Sequence, residues 1–156
     1  MLKKGDRIPM DIKVLDIDGK KVSLKTFEGK YLVVYFYPKD NTPGCNKEAC
    51  SFRDNYKNIT SLGADVVGIS KDSVSSHEKF MSKFNLNFHL WSDPDKELFQ
   101  AFGAWDNKKL LGNTFLGAIR STFVINPKGI IIKVWEKVNV KDHAEEIYSF
   151  LEKEIK

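Results

Sequence analysis

The chain holds two thiols, Cys45 and Cys50, five positions apart in the stretch PKDNTPGCNKEAC that directly follows the apolar run YLVVYFY. A cysteine attacks as its thiolate, and it is activated where backbone N–H groups or cations face it. The order of residues supplies such a place. Thr42 stands where a helix N-cap belongs and Pro43 suits the first helical position, so Cys45 falls in the first turn. There the free N–H groups and the positive end of the helix dipole favour a thiolate. Cys50 lies about 140° further round the same helix, and a rise of 1.5 Å per residue puts the two Cα atoms roughly 8.6 Å apart. A disulfide needs less than about 7 Å. If both cysteines are helical when reduced, they bond only after the first turns unwind, which describes a redox cycle rather than a staple.

The elements that must hold this loop are read from hydrophobic period. Residues 31–37 are apolar on successive positions, as in a central strand covered on both faces, and 64–70, 87–92, 121–126 and 130–136 are further strands. Ala49, Phe52, Tyr56 and Ile59 recur at helical spacing up to Gly63, a C-terminal stop, giving a helix from about 43 to 62. Asp72 or Ser73 caps a second helix carrying Val74, His77, Phe80, Met81 and Phe84. DPDKELFQAF makes a short third helix with Pro94 near its first turn, and a last helix begins at about Asp142. Ile12, Val14, Val22 and Leu24 alternate around Asp18-Gly19 as an N-terminal hairpin, and NPKG (126–129) joins two strands. The expected fold is α/β: a thioredoxin-like sandwich, a central mixed β-sheet flanked by helices, with an N-terminal β-hairpin extension, over one domain spanning 1–156.

Composition narrows the function classes. With 42% hydrophobic and 12% aromatic residues in 156, the chain buries a full-sized core without disulfide staples. It shows neither a signal-peptide run nor a membrane-length apolar segment, so a cytoplasmic location is expected, where a cysteine pair is catalytic, redox-sensing or metal-binding more often than structural. Net charge is +4, but lysines and carboxylates are interspersed, which describes a solvated surface and not a nucleic-acid or membrane face. His77, His89 and His143 lack metal-ligand spacing, and no metal site is expected. Arginine is scarce: Arg7, Arg53 and Arg120 stand among 25 basic residues, so an arginine at a buried or anion-binding position is there for its planar fork.

The segment YFYPKDNTPGCNKEACSFRD (35–54) resembles the active-site segment of the peroxiredoxins, of the Q or bacterioferritin-comigratory-protein branch. The likeness continues through DIDGKKVSLKTFEGK, GADVVGIS, FGAW and IRSTFVINPKGII in the family's order. The resemblance implies a peroxidase whose P-x-x-x-T-x-x-C pattern falls on Pro38, Thr42 and Cys45, whose later arginine is Arg120, and whose resolving cysteine is Cys50. Cys45 is then the peroxidatic nucleophile, attacking hydrogen peroxide or an alkyl or lipid hydroperoxide and becoming a sulfenic acid. Arg120, the Cys45 N–H and Thr42 orient the peroxide and stabilise the leaving charge, and Pro38 shields the thiolate. Cys50 condenses with the sulfenic acid and a thioredoxin-like dithiol restores both thiols, with no cofactor. A resolving cysteine in the same chain needs no second subunit, so a monomer is expected. Asn46 departs from the threonine usual in close relatives. Glu48 either orients an arginine or serves the helix N-terminus as a first-turn carboxylate, and Arg53 either supports the pocket or forms a structural ion pair. Two other classes are weighed against this: a thioredoxin-type oxidoreductase, which would show C-x-x-C and a proline where Arg120 stands, and a binding module on the same scaffold, which would not need Thr42, Cys45 and Arg120 together.

Overall fold

A computed structural model of the chain describes residues 1–155. The strands and helices follow in the order β1 (Val14–Leu15), β2 (Lys21–Val22), a 3-10 turn (Leu24–Phe27), β3 (Tyr31–Phe36), α1 (Pro43–Ser61), β4 (Ala64–Ser70), α2 (Val74–Phe84), β5 (His89–Ser92), α3 (Glu97–Phe102), β6 (Trp105–Leu110), β7 (Asn113–Ala118), β8 (Ser121–Ile125), β9 (Ile131–Trp135) and α4 (His143–Ile155). Seven strands make one mixed sheet in the order β2-β1-β5-β4-β3-β8-β9, with β3, β4 and β5 mutually parallel and the other pairs antiparallel. This is the α/β sandwich expected from the apolar runs.

β3 is an interior strand, between β4 and β8, because both its faces are apolar. Leu32, Val34 and Phe36 enter one core with Phe27, Trp91, Phe99, Phe102 and Phe123, while Val33, Tyr35 and Tyr37 enter the other with Ala49, Phe52, Ile59 and Phe80. The second core includes Cys45. α1 turns Ala49, Phe52 and Ile59 onto the sheet, all at most 1% exposed, and each large side chain so buried is worth about 1.5–3 kcal/mol of transfer free energy. The helix ends at Leu62, and Gly63 (φ +89°) carries the chain out in the left-handed region.

Several boundaries differ from the sequence reading. The N-terminal hairpin pairs only Val14–Val22 and Leu15–Lys21; Leu24 belongs to the 3-10 turn, and β1 joins the main sheet beside β5, so the hairpin is an edge of that sheet. α2 is capped by Ser73, whose Oγ accepts from Ser76 N (3.1 Å), because the Asp72 carboxylate is already taken by Asp40 N (2.8 Å) and Ser70 Oγ (2.8 Å). α3 begins at Glu97, past Pro94: the Asp93 carboxylate accepts from Leu98 N and Phe99 N, both at 2.9 Å, and this fixes the start. The hairpin β6–β7 had no counterpart in the sequence reading. It turns at Leu111 (φ +52°) and Gly112 (φ +82°), a left-handed pair for which Leu-Gly is a poor signal compared with Asn-Gly. Among the described residues no helix is long and apolar enough to cross a membrane.

Candidate active site

The register of the central sheet explains how residues 75 positions apart meet. β8 runs antiparallel to β3 with Ser121 opposite Phe36, so Arg120 lies just beyond the end of β3, where the chain leaves for α1. There its fork spans two residues of one helical face. Nη2 donates to Cys45 Sγ at 3.1 Å and Nη1 donates to Glu48 Oε1 at 2.6 Å. Cys45 and Glu48 are three apart, hence stacked on one side of α1, and a planar guanidinium matches that separation where a single ammonium does not. Burial lowers Arg120, but the Glu48 and Cys45 charges and their hydrogen bonds more than reverse this, and the guanidinium stays charged.

Cys45 is 2% exposed and Cys50 half-buried, and both are free thiols. Both lie within the unbroken helix α1, so the helical separation of roughly 8.6 Å between their Cα atoms applies to this state. The first intrahelical bond runs from Asn46 N to Thr42 O (2.7 Å), leaving the N–H groups of Gly44 and Cys45 ahead of the ladder. Thr42 has the extended backbone of an N-cap (φ −115°, ψ 153°), but its side chain makes no capping bond; Oγ1 donates instead to Lys39 O at 3.0 Å. The expected side-chain cap is therefore absent, because the hydroxyl is turned back along its own loop. Pro38 lies half-buried in that loop.

Of the two open residues, Glu48 joins the site and Arg53 does not join the Cys45–Arg120 cluster. Glu48 is 0% exposed; burial pushes its carboxyl up to about 7, with Arg120 only partly opposing. Arg53 donates from Nε to Asp54 Oδ1 (2.9 Å) and from Nη1 to Phe84 O (2.7 Å), tying α1 to the end of α2.

Four further residues shape the site. Gly44 permits the approach of Arg120, since a Cβ there would stand 3.3 Å from Nη2. Tyr35 fills the core beneath α1, stacked on Phe52 with ring centroids 4.6 Å apart, over Gly68, whose bare Cα leaves room for the ring. Asp40 pins the loop between β3 and α1: its carboxylate accepts from Tyr37 Oη (2.6 Å) and Ser76 Oγ (2.8 Å) and lies 2.7 Å from His77 Nδ1, while His77 Nε2 is 3.1 Å from Trp91 O. Lys108, across the β6–β7 hairpin, is lowered by burial and by the Arg120 charge, and the Cys45 charge opposes that shift. Gly44 sat in the motif, but Asp40–His77 and Lys108 carry no local signal.

A thiol beside a guanidinium at a helix N-terminus suits nucleophilic attack on an electrophilic oxygen. The AhpC/TSA family profile matches residues 5–134. The chain belongs to the AhpC/TSA family. It is 46% identical over 142 residues to Peroxiredoxin Bcp of Bacillus subtilis, across 91% of this chain and 90% of that one. It is 45% identical over 130 residues to a putative peroxiredoxin bcp of Coxiella burnetii, across 83% and 86%. Among solved structures, peroxiredoxin Q of Xanthomonas campestris superposes with a TM-score of 0.89 at 36% identity, covering 96% of this chain and 98% of that chain. A cysteine-to-serine variant of Xylella fastidiosa PrxQ gives 0.94 at 33%, covering 100% and 99%. The thioredoxin-like fold and thiol peroxidase activity of this AhpC/TSA member follow from relatives alike over nearly its whole length. Within that family setting Asn46 has a visible consequence. Its Nδ2 reaches Asn41 Oδ1 at 3.5 Å, while its own Oδ1 is buried with no hydrogen-bond partner among the described residues.

Proposed function

We propose that Cys45 is the peroxidatic nucleophile of a two-cysteine peroxidase, that Cys50 resolves its sulfenic acid within the same chain, and that a thioredoxin-like dithiol reduces the resulting disulfide. The observation that carries this reading is the 3.1 Å bond from Arg120 Nη2 to Cys45 Sγ at the start of α1. The sulfur attacks the terminal oxygen of a hydroperoxide, the O–O bond breaks, and water or an alcohol leaves. Arg120 and the free N–H groups of the first turn face the negative charge that develops. Thr42 Oγ1, its own hydrogen given to Lys39 O, keeps lone pairs to accept a peroxide O–H. Pro38 keeps water from the sulfur.

Substrates are hydrogen peroxide and alkyl or lipid hydroperoxides; a structural study of the Xanthomonas campestris relative concerns alkyl peroxide reduction. The resolving step requires the first turns of α1 to unwind, bringing Cys50 to Cys45 before the sulfenic acid is oxidised further. With both cysteines in one chain, the protein works as a cytoplasmic monomer. The test is peroxide consumption by the Cys45→Ser and Cys50→Ser variants. The first must consume none; the second must consume one equivalent and hold a trappable sulfenic acid at Cys45. Turnover by Cys45→Ser overturns the assignment, and a Cys50→Ser variant that turns over with the dithiol as fast as the wild type removes Cys50 from it.

A further inference from the structure

Two acids share one guanidinium in this site. Cys45 Sγ and Glu48 Oε1 flank Arg120, at 3.1 Å from Nη2 and 2.6 Å from Nη1. Glu48 is fully buried, and its second oxygen, Oε2, has no hydrogen-bond partner among the described residues. An ionised carboxylate needs acceptor bonds at both oxygens, and a buried one with a bare oxygen is poorly compensated. Two anions on this one half-buried cation would leave an uncompensated negative charge at the buried Cys45–Glu48 pair, so like-charge repulsion drives one of them to keep its proton.

No neighbour relieves this. Tyr35 from β3 and His143 from α4 are both neutral near neutral pH, because burial raises the phenol and lowers the imidazole. Asp40, on the loop after β3, is engaged with Tyr37, Ser76 and His77. Lys108 from β6 is cationic but reached by solvent, which screens it.

We infer that Glu48 is the proton store of the peroxide-reducing step: it is protonated while Cys45 is a thiolate and ionised once Cys45 is oxidised. The inference rests on Cys45 being the peroxidatic nucleophile. Cys45–S⁻, Glu48–COOH and ROOH become Cys45–SOH, Glu48–COO⁻ and ROH. The S–O bond forms as the O–O bond breaks, sulfur is oxidised, and the electron pair leaves on RO⁻, which takes a proton. Glu48 lies behind Arg120 and acts through it, releasing its proton to solvent as solvent protonates RO⁻. Arg120 thus faces one anion throughout, first at Nη2 and then at Nη1. The carboxyl's elevation to about 7 by burial is in the same direction.

The test is infrared difference spectroscopy of the full chain near neutral pH, reduced minus peroxide-oxidised, with oxidation confirmed by mass. The expected result is the loss of one carboxylic acid's absorbance on oxidation and the gain of one carboxylate. The lost band must shift with ¹³C-glutamate labelling and be missing from Glu48→Gln. Labelled wild-type protein carries the test if that variant does not fold. A purely structural Glu48 would not change protonation with the redox state. Complete oxidation without a change in any carboxylic acid band overturns the inference while leaving the peroxidase assignment standing. A Cys45 that peroxide does not oxidise overturns both.

Discussion

Replacing Arg120 by lysine keeps the charge and removes the fork, which isolates what the geometry contributes. In the native site two nitrogens of one plane reach Sγ at 3.1 Å and Glu48 Oε1 at 2.6 Å. A lysine ammonium is a single point that cannot serve both, and the buried Glu48 carboxyl group competes for it. At an effective dielectric of about 20, a unit charge 3.1 Å from the sulfur interacts by about 5 kcal/mol, and one withdrawn to about 6 Å by about 3 kcal/mol. Part of that loss of about 2.6 kcal/mol falls equally on the resting thiolate and does not slow the reaction. A loss of at least about 1.4 kcal/mol in the transition state lowers the second-order rate constant at least about tenfold. Stopped-flow oxidation of the reduced variant by hydrogen peroxide, at fixed ionic strength and with the fold checked by circular dichroism, measures it. An unchanged rate constant in a folded variant would show that directed donors at the sulfur do not matter, and the argument from the guanidinium geometry would fail.

Glu48→Gln should alter how stability depends on pH. The folded carboxyl is raised from 4.5 to about 7, so its contribution is present below about pH 4.5 and lost as pH rises through about 7. Denaturant unfolding should therefore show the wild type losing on the order of 3 kcal/mol relative to the variant across that window, and parallel curves would refute it. Gly68→Ala places a Cβ 2.6–2.8 Å from the Tyr35 ring, so the melting temperature should drop steeply, consistent with overpacking costs of about 1–3 kcal/mol; an unaltered melt would mean the ring moves freely. Disulfide formation should expose the amides of residues 46–52 to exchange while those of β3 stay protected; equal protection in both redox states would exclude unwinding of α1 as the route to the Cys45–Cys50 bond.

What the sequence discloses about this site depends on how locally the determinants lie. Thr42, Pro43 and Cys45 fall within four successive positions, and the start of a helix is a local event, so the position of the thiol could be derived from residue types alone. Arg120 was reached by resemblance; its physical placement requires the pairing of β8 with β3, which no window around residue 120 contains. Glu48 was ambiguous because a first-turn carboxylate serves a helix dipole as readily as an arginine, and only its complete burial against Nη1 separates the two readings. The β6–β7 hairpin escaped because its turn is Leu-Gly and its strands mix lysine, asparagine and aspartate with apolar residues, weakening the period-two pattern. The Asp40–His77 contact joins a loop to a helix 37 residues on and leaves no periodic trace.

The most direct test of the account is a titration of the fully reduced protein and its two serine variants with hydrogen peroxide, read by intact mass before and after thiol blocking. The account predicts that the wild type takes up one equivalent and loses two hydrogens, with both cysteines then blocked to alkylation and no cross-linked dimer. Cys50→Ser should gain one oxygen on Cys45, and Cys45→Ser should remain unchanged. Oxidation of Cys45→Ser at the wild-type rate, or a wild-type disulfide that joins two chains, would contradict it.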